Sequence, residues 1–201
     1  MSEFGYIKEV EQSFRNNNGI FTPTDIYNLD LESKWTNVGE LELIETKTVS
    51  STVNTDFTNL GNYSTHFLTI SQGLNAGANS YLGIRFSSDG GSTFDSNNNY
   101  ERANYYGGTI GNGTSNTSST SIIPITSDTS SDRKSGYVCI YSALDGAQKT
   151  YVTAHYQEEE YNAGILSGLY AGANRCNAFR LTTNNGGAFT FKASLYGIRN
   201  P

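Results

Sequence analysis

Chemistry at a protein site needs groups that can move protons or hold ions, and this chain offers few of them. It has two histidines, His66 and His155, so a nucleophile activated by an adjacent base has little to draw on. Both fall in stretches of alternating residue type, His66 in step with Leu68 and Ile70 and His155 in step with Tyr151 and Thr153. That spacing places them on strand faces as packed or partly exposed side chains. No Gly-x-Ser-x-Gly elbow, His-Glu-x-x-His pair or phosphate-binding glycine loop occurs, so acyl transfer, zinc-dependent hydrolysis and nucleotide chemistry have no candidate set. Paired carboxylates are the remaining route to hydrolysis. Glu158, Glu159 and Glu160 form the one dense acidic cluster; directly after a strand, they read as solvated loop carboxylates. Asp89 and Asp95 flank a turn and could share a calcium ion with backbone carbonyls, but two acids alone are a weak ligand set. The expectation is a non-enzymatic chain with no metal and no cofactor.

Around Asp89 the order Ser87-Ser88-Asp89-Gly90-Gly91-Ser92-Thr93-Phe94 looks like the Asp-box of sialidases, Ser-x-Asp-x-Gly-x-Thr and then an aromatic residue. In that family the box is a hairpin turn whose aspartate caps backbone amides and whose aromatic ring anchors the loop, once per propeller blade and away from the catalytic centre. A single copy, without an arginine triad around a Tyr/Glu pair, implies the turn and not the propeller, so Asp89 and Phe94 are expected to be turn residues. Tyr100, Tyr105, Tyr106, Tyr161 and Tyr170 are interleaved with Asn, Gly and Ser. Such a mixture supplies apolar area and adaptable hydrogen bonds at low entropic cost, suited to a glycan or a protein surface; the same rings could instead fill the interior or a subunit interface. Cys139 and Cys176 both lie in apolar or aromatic stretches without a partner at metal-ligand spacing. They read as buried free thiols; a disulfide between them is the alternative, disfavoured in a reducing cytoplasm.

The elements that must position these groups are strands. Hydrophobic residues make up 36% of the chain yet aromatics 12%, with Gly, Asn, Ser and Thr filling most of the rest, a mixture that suits short strands and many turns. From Gly39 onward the pattern has period two, and the strands it predicts are Glu40 to Val49, Ser64 to Ser71, Tyr81 to Ser87, Tyr100 to Tyr106, Ser121 to Ile125, Tyr137 to Ser142, Tyr151 to Tyr156, Ala178 to Thr182 and Phe189 to Ile198. Leu82, Ile84 and Phe86 share one face, Val138 and Ile140 another, and Phe189, Phe191, Ala193 and Leu195 a third. Strands in that number, separated by turns, make a sandwich or barrel. The stretch from Gly107 to Thr120 has nothing to bury except Ile110 and reads as a long surface loop, with its end able to enter an edge strand beside Pro124.

A length of 201 residues suits one domain, or one domain with an appendage. The formal net charge of -6 repels a phosphate backbone, and no basic cluster exceeds Arg133-Lys134, so nucleic acid is excluded as a partner. No run approaches the roughly 20 apolar residues of a membrane span, and the first residues lack the basic and apolar regions of a secretory leader. Synthesis in a cytoplasm is the expectation.

The first residues differ from the rest, with a charged stretch, a break at Asn16 to Asn18, and then Thr22-Pro23-Thr24-Asp25-Ile26-Tyr27-Asn28-Leu29. Thr22 reads as an N-cap with Pro23 at the first helical position and Asp25 in the first turn, predicting one short helix of about two turns. Ile26, Tyr27 and Leu29 are too few to form a core of their own. Residues 1–36 are therefore taken as an anchor arm with one short helix and 37–201 as a β-sandwich domain.

Two ends of the chain carry a resemblance. The C-terminal Phe189-Thr190-Phe191-Lys192-Ala193-Ser194-Leu195-Tyr196-Gly197-Ile198 resembles the closing strand of a jelly-roll domain found in virion proteins of tailed phages of aquatic bacteria. Ser64 to Ile70, Tyr81 to Phe86 with Ser88-Asp89-Gly90-Gly91, and Tyr100 follow in the order of that family. Asn18 to Leu29, ending near Trp35, looks like the segment that opens many phage fibre and decoration proteins. The resemblance implies an all-β fold, a jelly-roll-like antiparallel β-sandwich with an N-terminal arm, displayed on the virion surface as a tail fibre, appendage or capsid decoration. It also implies attachment to other virion proteins, with Phe21, Ile26, Tyr27, Leu29 and Trp35 as anchor residues, and a homo-oligomer, a trimer being favoured. The rival expectation is a carbohydrate-binding module at the tip of a tail fibre that recognises host surface glycan.

Overall fold

The computed structural model describes residues 22–31, 41–75, 80–108, 111–126, 133–159, 162–172 and 175–198. By its internal contacts the chain divides into two units, residues 1–38 with 201, and residues 39–200.

In the first unit, helix α1 spans Pro23–Leu31. It begins where the sequence places it, because Thr22 and Asp25 cap it reciprocally. The Thr22 backbone and hydroxyl donate to Asp25 Oδ2 at 2.8 and 2.6 Å, and Asp25 N donates to Thr22 Oγ1 at 3.2 Å. These hydrogen bonds to Thr22 hold the Asp25 carboxyl below its usual range. Ile26, Tyr27 and Leu31 are exposed on this helix and Leu29 is half-buried.

The second unit is all β. Its strands are β1 (Leu41–Thr52), β2 (Asn54–Phe57), β3 (Thr65–Asn75), β4 (Leu82–Ser87), β5 (Tyr100–Gly108), β6 (Gly111–Thr120), β7 (Ile123–Pro124), β8 (Arg133–Tyr141), β9 (Thr150–Glu158), β10 (Asn162–Tyr170), β11 (Ala178–Thr183) and β12 (Phe189–Ile198). They form an eight-stranded sheet in the order β1-β12-β3-β8-β9-β10-β5-β6 and a four-stranded sheet in the order β2-β11-β4-β7, and every pairing is antiparallel. The pairs nest: β1 with β12, β2 with β11, β3 with β8 and β4 with β7, alternating between the larger and the smaller sheet. That is one long hairpin rolled up, the jelly roll. The remaining strands, β9-β10 and β5-β6, widen the larger sheet beyond β8.

Alternation explains which side of each strand is buried. In β12, Phe189, Phe191, Ala193 and Leu195 all point inward, and in β4 so do Leu82, Ile84 and Phe86. They meet Leu68, Val138, Ile140 and Leu181 in one core, with Phe57 stacked on Phe179 at 4.8 Å. Each such side chain contributes about 1.5 to 3 kcal/mol by leaving water. In the larger sheet bulges fall on β1 between Val49 and Thr52 and on β3 between Ile70 and Gly73, where each strand sets an extra residue against its neighbours. Ser51 and Gln72 take the left-handed conformation there, with φ of 52° and 57°.

Three strands depart from the sequence expectation. Residues 111–120, read as part of a surface loop, form β6, the edge of the larger sheet. The stretch carries no large apolar side chain, and it joins the sheet through an antiparallel ladder with β5. β2 and β10 were not expected. β10 reads poorly because it carries Gly164 and Gly168, and the reason lies in its neighbours: a Cβ at Gly168 would stand 2.5 Å from the Ile123 side chain, so only glycine lets β7 pack there. The Ser121 to Ile125 stretch pairs only over Ile123–Pro124, on the edge of the smaller sheet, where proline is tolerated.

Candidate functional site

The groups that could do chemistry do not converge. His66 is fully buried and shares a hydrogen bond of 2.7 Å between Nε2 and the Leu60 carbonyl, while its Nδ1 has no hydrogen-bond partner. Burial pushes its pKa below the usual 6.5, a trend that the Leu60 bond opposes. His155 sits on the opposite face of the sheet, stacked on Tyr137 with ring centroids 4.8 Å apart. The histidine expectations thus hold for both positions.

The His66 environment makes stability depend on pH. The native state holds this imidazole neutral and the unfolded chain protonates it, so the contribution is full above about pH 6.5 and is lost as pH falls toward the depressed native pKa. Urea midpoints are expected to fall between about pH 7.5 and 5.5, and the drop should shrink in His66→Gln. An unchanged drop in that variant would place its origin elsewhere.

The acidic cluster differs from expectation. Glu158 is not a solvated loop residue: it ends β9 and forms a 3.1 Å ion pair with Lys134 of β8, each side chain 1% exposed. The strand continues two residues past Tyr156, so the alternation that buries Tyr156 also turns Glu158 inward, opposite Lys134 in the register. Glu159 is exposed, and Glu160 lies outside the described residues.

The turn between β4 and β5 is built as the Asp-box pattern implies. Asp89 accepts from Thr93 N at 2.9 Å, Thr93 Oγ1 at 2.6 Å and Ser87 Oγ at 2.7 Å. The two bonds from Thr93 come first in lowering its pKa, to about 2. Gly91, at φ +91°, is required because a Cβ there would meet Thr58 Cγ2 at 2.7 Å. Phe94 anchors the loop under the Arg180 guanidinium, 4.1 Å from the ring centroid, and Arg180 is held by a bidentate pair with Asp56 at 2.6 and 2.8 Å. The Asp95 carboxylate accepts from Asn97 N, Asn99 Nδ2 and Tyr170 OH. Among the described residues no group of three or more His, Cys, Asp or Glu could hold a metal ion.

Both cysteines are free thiols. Cys176 is buried, and that burial pushes its pKa up to about 11. Cys139 is only half-buried and points out from β8, on the opposite side from Val138 and Ile140.

The tyrosines proposed for contact divide. Tyr100 and Tyr170 are core residues, 0% and 9% exposed, with rings 4.8 Å apart, so neither is a surface contact. Their hydroxyls donate to the backbone carbonyl and the carboxylate of Asp95 at 2.9 and 3.0 Å, and burial raises both pKa values. They begin β5 and end β10 on inward positions. Tyr105 and Tyr106 are exposed on β5. Tyr161, Phe21 and Trp35 lie outside the described residues.

Apart from Tyr105, the exposed rings that matter most were not singled out in sequence. They lie on the outer face of the larger sheet, where the register sets them in three rows. One row runs Leu41, Ile198, Thr65, Tyr141, Tyr151, Leu169 and Glu101. The next runs Leu43, Tyr196, Phe67, Cys139, Thr153, Ser167 and Ala103. The third runs Thr46, Ser194, Thr69, Tyr137, His155, Ile165 and Tyr105. Tyr137, Tyr141, Tyr151, Ile165, Tyr105, Leu41 and Leu43 are all exposed large hydrophobics, and Phe67 lies 5.5 Å from Tyr137 and 6.5 Å from Tyr196. The usable signal was alternation: on β8 Tyr137, Cys139 and Tyr141 alternate with Val138 and Ile140 and must face outward. Around Ala103 and Ser167 of the middle row the outer face carries a trough of about 730 Å³, bounded by Tyr151, Leu169 and Glu101 of the first row and by Asn116, Thr117 and Ser118 of β6.

No protein-family model matches this chain, and no curated protein and no solved structure is similar to it at a significant level.

Proposed function

We propose that this chain is a non-enzymatic structural protein displayed on the surface of a tailed-phage particle, as a tail appendage or capsid decoration. Residues 1–36 attach it to other virion proteins, and the outer face of β1, β12, β3 and β8 joins it to further copies of itself, three being favoured. The observation that carries the reading is the make-up of that face. In the three rows the residues on these four strands include none of a charged type, in a chain where 16% are charged. Copies that each carry a net charge of -6 repel one another, so contact is cheapest where charge is lowest. The exposed Ile26, Tyr27 and Leu31 of α1 are the described part of the arm that a virion partner would cover.

Light scattering on the full chain tests the contact. The expected mass is a multiple of 21.9 kDa, and Phe67→Lys with Tyr137→Lys should give a folded monomer. Removal of residues 1–36 should leave a cooperative β domain that no longer joins the particle. A parent chain that stays monomeric at about 100 μM would remove the subunit contact, and a truncated chain that still assembles would remove the anchor.

A further inference from the structure

We propose that the trough on the outer face binds a neutral glycan, with Tyr151 as the stacking platform and Glu101, Asn116 and Ser167 as hydrogen-bonding groups. The trough lies wholly on β5, β6, β9 and β10. These are the strands the rolled hairpin does not need to close, so the fold itself does not account for the shape of their outer surface.

Its floor is Ala103 beside Ser167, directly paired in the register. One wall is Tyr151, Leu169 and Glu101, adjacent in the next row, and Asn116 closes the β6 end opposite Ala103. The volume of about 730 Å³ falls in the range of about 300 to 1,000 Å³ typical of small-molecule sites. Tyr151 is 49% exposed. Its ring presents a negative π face, which suits the apolar, weakly positive C–H face of a sugar ring. The Ser167 hydroxyl donates to the Ala103 carbonyl at 3.4 Å, which leaves its oxygen free to accept. Glu101 and Asn116 are exposed, so a carboxylate and an amide are open to sugar hydroxyls.

The charge pattern selects the ligand class. The guanidinium of Arg102 does not serve the trough, because its Nη1 donates to Tyr81 OH at 3.3 Å across the β5 strand. Among the described residues the lining therefore offers an acid and no available cation, which repels sulfated, phosphorylated or carboxylated sugars and admits neutral or amino-substituted ones. The inference holds whatever position the chain takes on a particle, and its residues do not include Phe67 and Tyr137 of the subunit contact.

The test is saturation-transfer NMR and calorimetry on the full chain with linear neutral oligosaccharides of glucose, galactose, mannose and N-acetylglucosamine, and with heparin fragments as the acidic comparison. At least one neutral series is expected to bind, with Tyr151→Ala weakening it by about tenfold or more and Glu101→Gln or Asn116→Ala by about threefold or more. Ala103→Trp, which fills the floor and leaves the wall untouched, should abolish binding without changing the mass by light scattering. Binding by none of the neutral sugars at about 10 mM, binding that survives Ala103→Trp, or binding of heparin fragments alone would each overturn the proposal.

Discussion

Phe191→Ala is expected to destabilise the β unit by about 3 to 5 kcal/mol, the usual cost of emptying a buried phenylalanine site. Phe191 is 2% exposed in the core and stands on β12, which is hydrogen-bonded on both edges, to β1 and to β3. The surrounding strands cannot close over the void without breaking two ladders, so most of the cavity should persist. Against a total stability of about 5 to 15 kcal/mol, such a loss removes a large fraction of the whole. For a chain of this size it should lower Tm by about 6 to 20 °C. Urea melts of the parent and variant measure it directly; a loss below about 1 kcal/mol would mean the ring is not part of the packed core.

A comparable loss is expected at the buried ion pair, with a different signature. Lys134 and Glu158 are each 1% exposed and 3.1 Å apart on adjacent strands. Lys134→Met or Glu158→Leu removes the ion-pair partner of the remaining charge in a low-dielectric interior, a change that costs about 3 to 5 kcal/mol. Taking both away at once, as Lys134→Met with Glu158→Leu, removes the desolvation penalty together with the attraction and should be neutral or stabilising by about 1 to 4 kcal/mol. The non-additivity is the diagnostic result. If the double variant is as unstable as the sum of the two single ones, the pair does not act as a coupled unit.

The pair also shows where reading the chain stops short. Glu158-Glu159-Glu160 is a run of like charges, and nothing local distinguishes its first member from the other two. Only the continuation of β9 past Tyr156, and a lysine brought alongside from β8, makes Glu158 an interior residue. Tyr100 and Tyr170 teach the same lesson in reverse. Tyr100 lies between Asn99 and Glu101 and Tyr170 between Leu169 and Ala171, yet their hydroxyls find Asp95 and their rings find each other once β5 and β10 pair.

What the sequence by itself determined is whatever rests on short-range chemistry. Period-two alternation of large apolar residues marks β4, β8 and β12 and their buried faces, because side chains on a pleated strand must alternate. The capping pair Thr22 and Asp25 starts α1, and the Ser87 to Phe94 turn closes on its own hydrogen bonds. What only the tertiary structure decided is whatever depends on partners far along the chain. β6 has no apolar pattern because an edge strand paired by its backbone needs none. β10 carries glycines because a neighbouring side chain occupies the space above them. The outer rows of tyrosines become one surface only when seven strands are set side by side in register. Each ring there is an ordinary outward residue of its own strand, and their adjacency is a property of the pairing, which no single segment encodes.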